Sequence, residues 1–393
     1  MKKLLIIGAS ILQLPAIKKA KELGYYVGVV DYNPQAIGIK YADDYFEVST
    51  IDIDGVTQVA KQFQPDGIMT LATDMPMRTI AEATTVCGLP GIDMETAIKA
   101  TDKGEMMKAF AQHNVEHPWY YVALDYEQFE RIKNRILYPC IMKPVDNAGS
   151  RGVVLVHSLT ELETQYAYTV HESRHGGVII EEYMEGNEVS VEVMVIDGLP
   201  KVLQITDKIT TGAPHFVEMG HTQPSRLKRE DILKINDLAE RAVLAVGISN
   251  GPAHVEIKLT KDGPKMIELG ARMGGDCITS HLVPLSTGID MIASTIKLAC
   301  GERIDVNTQF NKGSAIRYLN ADAGIIKSIK NIDKVRRMNG ICEVTLLKNI
   351  GDKVSAIESS LDRIGYVITQ ADDAEQAAKI CDKAINMIKV EVE

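Results

Sequence analysis

The sequence has little of what several common protein classes require. Among its 393 residues are only six cysteines, and these are scattered without a C-x-x-C pair. This argues against a structural zinc site and against a dense disulfide framework, so the cysteines are expected to be free thiols in the cytoplasm. Basic residues are outnumbered by acidic ones, 43 to 53, which disfavours nucleic acid and anionic membranes as partners.

Long apolar runs are also missing. No apolar stretch approaches the roughly 20 residues that span a bilayer, so no membrane partner is expected. The apolar segment 4–7 stops at Gly8 and lacks a convincing cleavage site after it, which predicts a buried strand rather than a signal peptide. Hydrophobic residues make up 45% and charged residues 24% of the chain, as in globular proteins, and the length allows two to four domains.

The N-terminal part alternates short apolar runs with helical patterns. This rhythm predicts a doubly wound parallel sheet with helices on both faces. The dinucleotide fingerprint G-x-G-x-x-G is absent, because Ser10 and Gln13 stand where the glycines after Gly8 should fall. A dehydrogenase is therefore disfavoured, and Asp31 is interpreted as a strand-end residue rather than a ribose ligand.

From about residue 115 the pattern becomes mixed α+β. Valines alternate with polar residues and a methionine over 188–195, which predicts a strand with one buried face. The other predicted elements are strands at 119–123, 138–143, 313–319, 344–347 and 366–369 and helices at 125–136 and 372–388.

Three motifs carry candidate chemistry, and the first is the segment 142–154. Lys143 ends a strand and is followed by a loop of small residues, Gly149, Ser150 and Gly152, whose backbone N–H groups could approach phosphate oxygens while the lysine supplies charge. The Walker pattern is missing, and a simple turn is the alternative interpretation.

The second motif is an apolar strand that runs into a carboxylate-rich connection at 178–188. Backbone groups at the strand exit could bind the edge of an adenine, and Glu188 could accept hydrogen bonds from ribose hydroxyls. A solvated acidic turn is the alternative.

The third motif is a predicted hairpin with one glutamate on each strand, Glu256 and Glu268. Two carboxylates placed in this way suit Mg²⁺, which completes its octahedron with phosphate oxygens and water. Arg272, four residues further on, could clamp a transferring phosphoryl group. A surface charge pattern is the alternative, whereas zinc deaminase chemistry is disfavoured because His254-x-Glu256 has no accompanying P-C-x-x-C.

In this order the three motifs resemble the ATP-grasp superfamily, and residues 313–389 resemble the C-terminal part of L-amino-acid ligases. The resemblance implies an α/β and α+β multidomain chain. Its expected parts are an N-terminal α/β domain (1–95), an ATP-grasp lid (96–184), a core with the metal site (185–310) and a C-terminal α+β segment packed on the core (311–393).

The resemblance also implies roles for individual residues. Lys103 and Lys143 would contact ATP phosphates, and the loop 147–152 would close over them. The hinge that binds adenine would be Glu181, Glu182, Tyr183 and Met184, with Glu188 on ribose, Glu256 and Glu268 on the metal and Arg272 at the phosphoryl group. Many members have asparagine two residues after the second metal glutamate, whereas this chain has Gly270.

The implied reaction is an ADP-forming ligation with ATP and Mg²⁺, or Mn²⁺, as cofactors. A carboxylate attacks the γ-phosphate, and an amine captures the resulting acyl phosphate. His254 is a candidate for substrate contact or amine deprotonation, with a structural role as the alternative. An amino acid or small carboxylate is the expected substrate.

Alternatives are a purine-pathway ligase of the phosphoribosylglycinamide synthetase type, a carbamoyl-phosphate synthetase-like ATP domain and a non-catalytic ATP-binding regulator. A phosphoribosyl substrate would need a further basic site for its phosphate. The cations available for such a site form no recognisable motif; they are Arg317, Lys327 and Arg363. Segments near 215–221 and 274–285 are expected to line the substrate pocket. A homodimer is expected at the level of the family.

Overall fold

A computed structural model of the chain describes residues 1–147, 149, 151–213 and 215–393 and begins with a four-stranded parallel sheet. The first elements are β1 (Lys3–Ile7), α1 (Leu14–Glu22), β2 (Tyr26–Val30), β3 (Asp44–Phe46), α2 (Ile53–Phe63), β4 (Gly67–Met69), α3 (Met77–Cys87), α4 (Met94–Lys99) and α5 (Lys103–Gln112). The strand order is β3-β2-β1-β4. Leu4 and Ile6 of β1 pack on the side of α1, whereas Leu5 and Ile7 pack on the side of α2 and α3. Helices thus cover both faces, as predicted.

The loop after β1 is filled by the chain's own side chains. Gly8 has a φ of +99°, and a Cβ at this position would lie 2.9 Å from the Gln13 side chain. The Gln13 amide donates to the carbonyl of Leu71, and Asp31 accepts the backbone N–H of Ala9 at 2.8 Å. Asp31 therefore orders this loop, in agreement with its interpretation as a structural residue.

A second, antiparallel sheet follows. Its elements are β5 (Tyr120–Ala123), α6 (Tyr126–Ile132), β6 (Cys140–Pro144), β7 (Val154–Val156), α7 (Leu159–Glu172) and β8 (Val178–Glu182), with the strand order β5-β8-β6-β7. Phe129 and Tyr166 stack at 4.0 Å between ring centroids and anchor α6 and α7 on the sheet. We call this unit the lid.

The largest sheet has eight strands and joins the core to the C-terminal part. The core contributes β9 (Asn187–Ile196), β10 (Leu199–Thr210), β11 (Glu218–Gln223), α8 (Arg229–Val246), β12 (Gly251–Thr260), β13 (Gly263–Gly270), α9 (Val283–Thr287) and α10 (Met291–Ala299). The C-terminal part contributes β14 (Gly313–Leu319), β15 (Gly324–Lys330), α11 (Ile332–Arg336), β16 (Ile341–Leu346), β17 (Lys353–Val354), β18 (Gly365–Ala371), α12 (Ala374–Met387) and β19 (Lys389–Val392). The strand order is β13-β12-β9-β10-β11-β14-β18-β16, beside a small sheet β17-β15-β19.

In the described part of the chain no single helix is both long and apolar enough to cross a membrane. Residues 278–287 and 291–299 meet that test only as a pair, and the two segments are bent by 114° relative to each other.

Strand β9 differs from its prediction. The alternation of valines with polar residues predicted one buried face, but Ser190, Glu192 and Met194 are as fully buried as the valines. The prediction was wrong because both faces of the sheet are covered at β9. The valines pack in one cluster with Leu238 of α8, and Met194 packs in another cluster with Leu282. Polar residues on its second face point to a buried polar site rather than to solvent.

An ion pair between His281 and Glu343 joins the core to β16, with 3.2 Å between His281 Nε2 and Glu343 Oε2. Burial lowers the pKa of His281, but hydrogen bonds with Cys277 and Glu343 outweigh it and raise the pKa to about 10. The His281 contact and the other hydrogen bonds of Glu343 lower the pKa of that carboxyl to about 2. The histidine therefore contributes stability that is complete below its unfolded pKa of about 6.5 and is lost as pH rises toward 10. The glutamate's share is present above its unfolded pKa of about 4.3 and is lost as pH falls toward 2.

We therefore expect His281→Gln to destabilise the protein most at pH 5.5–6.5 and progressively less up to pH 10. Thermal unfolding of both proteins at a series of pH values measures this difference, and Glu343→Gln should reproduce it. A difference that does not change between pH 6 and pH 10 would contradict the assignment.

Candidate active site

The hairpin β12–β13 brings two carboxylates together. Glu256 and Glu268 are direct cross-strand partners in its register, as the sequence predicted for the two strands. Side chains of directly opposed residues point to the same face of the sheet. Both glutamates line each of three neighbouring cavities, which places the hairpin at the centre of the site.

Lys208 of β10 provides a buried positive charge next to the carboxylates of the site. Its side chain is 2% exposed, and its Nζ lies 2.6 Å from Glu188, 3.1 Å from Glu256 and 3.4 Å from Glu218. Burial alone would raise the pKa of Glu256, but Lys208 and His254 hold that pKa well below its usual value. Glu256 is therefore ionised, as a metal ligand must be.

Two further lysines reach the site from different elements. Asp102 caps helix α5, so that Lys103 lies in its first turn, where its Nζ is 3.1 Å from Glu268 and donates to the carbonyl of Asn147 at 2.8 Å. Lys143 at the end of β6 is 2.7 Å from Glu181. Burial lowers the pKa of Lys143, but Glu181 and Glu268 outweigh it and raise the pKa, so the side chain carries a charge.

Most of the residues predicted to bind a nucleotide line one cavity of about 160 Å³ between the lid and the core. We call it the lid cavity. It contains Lys103, Lys143, Gly149, Glu181, Glu182, Tyr183, Met184, Glu188, Glu256 and Glu268. Ser150 lies outside the described residues. Gly152 is not among the lining residues, and a Cβ there would lie 2.8 Å from Pro144 and Glu172, so packing requires this glycine.

The predicted hinge begins with the last two residues of β8, Glu181 and Glu182, and continues into Tyr183 and Met184. The side chains of its two glutamates are engaged in ion pairs, Glu181 with Lys143 and Glu182 with Lys265 at 2.8 Å. The backbone N–H of Glu182 donates to the carbonyl of Trp119. The backbone of Tyr183 and Met184, which follows at the cavity wall, is then the part of this hinge best placed to bind a flat heterocycle.

His254 is held between two carboxylates. Its Nδ1 lies 2.5 Å from Glu192, and its Nε2 lies 3.4 Å from Glu256. Burial lowers the pKa of His254, but Glu192 outweighs it, helped by Glu256, and raises the pKa to about 9. A doubly engaged, protonated ring cannot accept a proton from an amine, so this arrangement suits charge balance rather than general base catalysis.

A second cavity, of about 230 Å³, lies on the other side of Glu256. We call it the inner cavity. Arg363 reaches it from the C-terminal part and donates to Asp276 at 2.9 Å, with its guanidinium 4.0 Å from the centre of the Tyr318 ring. His221 also contacts Asp276, at 3.4 Å. Burial would raise the pKa of Asp276, but His221 and Arg363 lower it.

The third cavity, of about 330 Å³, opens between the N-terminal part and the lid. We call it the outer cavity. Arg78 of α3 and Arg174 of the lid line it together with Lys103, and Arg78 donates to the hydroxyl of Thr101 at 2.9 Å. Arg272 and Asp74 line both the inner and the outer cavity and are paired with each other.

The donor set at the hairpin fits Mg²⁺. Within the described ranges there is no cluster of three or more histidine, cysteine, aspartate or glutamate side chains that could hold a metal. Mg²⁺ does not need one, because it is bound by one or two carboxylates and completes its shell with phosphate oxygens and water. Glu256 and Glu268 supply two carboxylates beside the lid cavity, and the same oxygen donors suit Mn²⁺.

Sequence comparison identifies the class of protein. Residues 136–280 match the ATP-grasp domain family, and residues 317–393 match L-amino acid ligase C-terminal domain 2. The chain therefore contains an ATP-grasp domain, as its motifs predicted. Its second matched segment confirms the predicted similarity of the C-terminal part to L-amino-acid ligases.

Two relatives align with different shares of the chain. Alanine–anticapsin ligase of Bacillus subtilis is 26% identical over 316 residues, which are 74% of this chain and 66% of that protein. Human carnosine synthase 1 is 28% identical over 186 residues, but the match spans only 22% of that longer protein and 44% of this chain.

Two solved structures share the whole fold. The L-amino acid ligase of Bacillus licheniformis superposes with a TM-score of 0.87 at 23% identity, covering 100% of this chain and 99% of the other. Phosphoribosylglycinamide synthetase of Anaerococcus prevotii gives 0.80 at 25% identity and covers 100% of both chains. The predicted multidomain ATP-grasp fold is thus confirmed. The domain boundaries and the roles of single residues stay predictions.

Several residues of the site were not predicted from the sequence. They are Asp74, Glu192, Lys208 and Glu218. His221 and Asp276 fall within the two segments, 215–221 and 274–285, that were expected to line the pocket, and Arg363 had been noted only as an available cation. One signal existed for Glu192, which alternates with buried valines in a strand. The others follow no local motif, because they reach the site from separate strands and loops.

Proposed function

We propose that the protein is an ADP-forming ligase that joins the carboxylate of one amino acid, or a similar small carboxylate, to the amine of another. The carboxylate attacks the γ-phosphorus of ATP, ADP leaves, and an acyl phosphate forms. The amine nitrogen then attacks the acyl carbon, and phosphate leaves with loss of a proton from nitrogen.

The charge balance of the inner cavity carries this proposal. Each cation at its wall is already paired with carboxylates: Lys208 with three glutamates, Arg363 with Asp276 and Arg272 with Asp74. A zwitterion adds no net charge to such a site. A phosphomonoester would add about two negative charges and would need extra cations. The inner cavity therefore favours an amino acid.

Named residues would perform the remaining tasks. Lys103 and Lys143 would hold the triphosphate, and Arg272 would face the transferring phosphoryl group. Bound by Glu256 and Glu268, Mg²⁺ would neutralise charge that develops on the phosphate oxygens. Because an acyl phosphate hydrolyses in water, closure of the lid over the site would protect it.

The second candidate is a ligase of the phosphoribosylglycinamide synthetase type. It is favoured by the likeness to that solved structure and by Arg78 and Arg174 in the outer cavity, which could hold a phosphate as well as a carboxylate. The three cations that the sequence offered for such a phosphate do not assemble. Arg317 pairs with Asp382 and Lys327 with Glu393, whereas Arg363 enters the inner cavity.

Phosphate release from Mg²⁺-ATP tests the proposal. One reaction contains pooled amino acids, another contains glycine with phosphoribosylamine, and products are identified by mass. A new amide formed with ADP and phosphate in the first pool is the expected result. A response confined to the second pool would support the second candidate. AMP with pyrophosphate would contradict both.

We propose that Arg363, at the wall of the inner cavity, donates a hydrogen bond to the substrate carboxylate. Arg363→Met should therefore raise the KM for the carboxylate substrate by about 10–100-fold, because a charge-assisted hydrogen bond contributes about 1.5–3 kcal/mol. The KM for ATP should stay within about twofold, since Arg363 does not line the lid cavity. Lys327→Met, which removes an exposed ion pair, is the matched control. Equal effects of both variants would argue against a substrate role for Arg363.

A further inference from the structure

Gly270 ends β13 two residues after Glu268 and is the cross-strand partner of His254. A Cβ there would lie 2.3 Å from Oδ1 of Asp74 and 3.1 Å from Nε of Arg272. The φ of Gly270 is not in the left-handed region, so its backbone would accept alanine. The Asp74 carboxylate, and less closely the Arg272 guanidinium, fill the space that a side chain at position 270 would need.

Asp74 comes from the N-terminal part, between β4 and α3, and binds Arg272 side-on. Nε of Arg272 donates to Oδ1 at 3.0 Å, and Nη2 donates to Oδ2 at 2.9 Å. Nη1 donates to the carbonyl of Met273 at 3.3 Å. Of the five N–H groups of a guanidinium, one on each terminal nitrogen is left for an anion. The side chains of Arg272 and Asp74 are 15% and 23% exposed, so little water screens the pair.

We propose that Asp74 is the positioning residue for Arg272. Position 270 is glycine because the Asp74 carboxylate occupies the space that a side chain there would need. Both oxygens of Asp74 accept bonds from Arg272, so Asp74 acts through the arginine rather than on the metal. This inference rests on the proposed function, in which Arg272 faces the transferring phosphoryl group. It makes the N-terminal part a contributor to phosphoryl transfer.

Steady-state kinetics of ADP formation test the catalytic part. Asp74→Ala is expected to lower kcat by about 10–100-fold and to change the KM for ATP by less than about twofold, because a misaimed arginine loses transition-state contacts and the lid cavity is unchanged. Asp74→Asn, which keeps one acceptor, should fall between wild type and Asp74→Ala. In an Arg272→Ala background Asp74→Ala should have no further effect. Asp333→Ala, which removes a surface partner of Arg336, is the control.

Thermal unfolding without substrate tests the geometry. Gly270→Ala should destabilise the wild type by overpacking and should cost much less in an Asp74→Gly background. Equal destabilisation in both backgrounds, or an unchanged kcat for Asp74→Ala, would overturn the inference. Unfolding needs no substrate, so this measurement does not depend on the proposed function. If positions 74 and 270 are coupled but the protein shows no ligase turnover, the proposed function is overturned and the contact is still established.

Discussion

Glu268→Gln is expected to lower the rate of ADP formation by on the order of 10³-fold while ATP still binds. The substitution keeps the shape of the side chain but removes the negative charge that faces Glu256 across the hairpin. A neutral amide is a weaker Mg²⁺ ligand, and it also releases the ion pair with Lys103. Lys143, which we propose contacts the triphosphate, does not depend on Glu268 for its position, because Glu181 holds that lysine.

Calorimetric ATP binding and a coupled ADP assay measure the two effects separately. Glu230→Gln, on the exposed first turn of α8, is the control for loss of one carboxylate elsewhere. Turnover of Glu268→Gln at the wild-type rate would contradict the metal assignment. A wild type that binds ATP but turns over neither substrate pool would instead favour the non-catalytic regulator.

Lys208→Met is expected to lower the free energy of unfolding by about 3–5 kcal/mol, because it leaves buried carboxylates without their shared cation. The methionine fills a similar volume, so lost charge rather than a cavity dominates the effect. Lys201→Met, on the same strand but with a partly exposed side chain that donates to Asn307, is the matched control. Chemical denaturation of both variants at pH 7.5 measures the difference.

The loss should shrink as pH falls toward 5. Lys208 lowers the pKa of Glu188 and Glu256 in the wild type, although burial opposes this. Those two carboxylates therefore contribute stability that is present above their unfolded pKa of about 4.3 and is lost below it. Without the lysine, burial raises their pKa, and protonation at mildly acidic pH relieves the repulsion. Equal stability of the two lysine variants at pH 7.5 would contradict the prediction.

The sequence predicted those features that are encoded locally. The hairpin that carries Glu256 and Glu268 follows from strand patterns separated by a short turn, and the doubly wound start follows from the alternation of strands and helices. Lys103 is far from the hairpin in the sequence, but it was predicted because the family resemblance implies a role for it.

Features that depend on assembly could not be predicted in this way. Asp74 is 198 residues from Arg272 in the chain, and no spacing rule joins a loop of the parallel sheet to the end of β13. Burial of Glu192 depended on knowing that other elements cover both faces of the sheet at β9. The contacts of His254 with two carboxylates could not be predicted either, because they require the relative positions of β9 and β12.

The continuous eight-stranded sheet determines how the protein can be shortened. Strand β11 pairs with β10 on one side and with β14 on the other. A variant cut after residue 310 would therefore expose the backbone of β11 as a free edge, the kind of edge that pairs with other molecules and aggregates. It would also lose Arg363 from the inner cavity. For cloning and for engineering of hybrid ligases, the C-terminal segment should be exchanged together with β11, because β14 pairs with the edge of that strand.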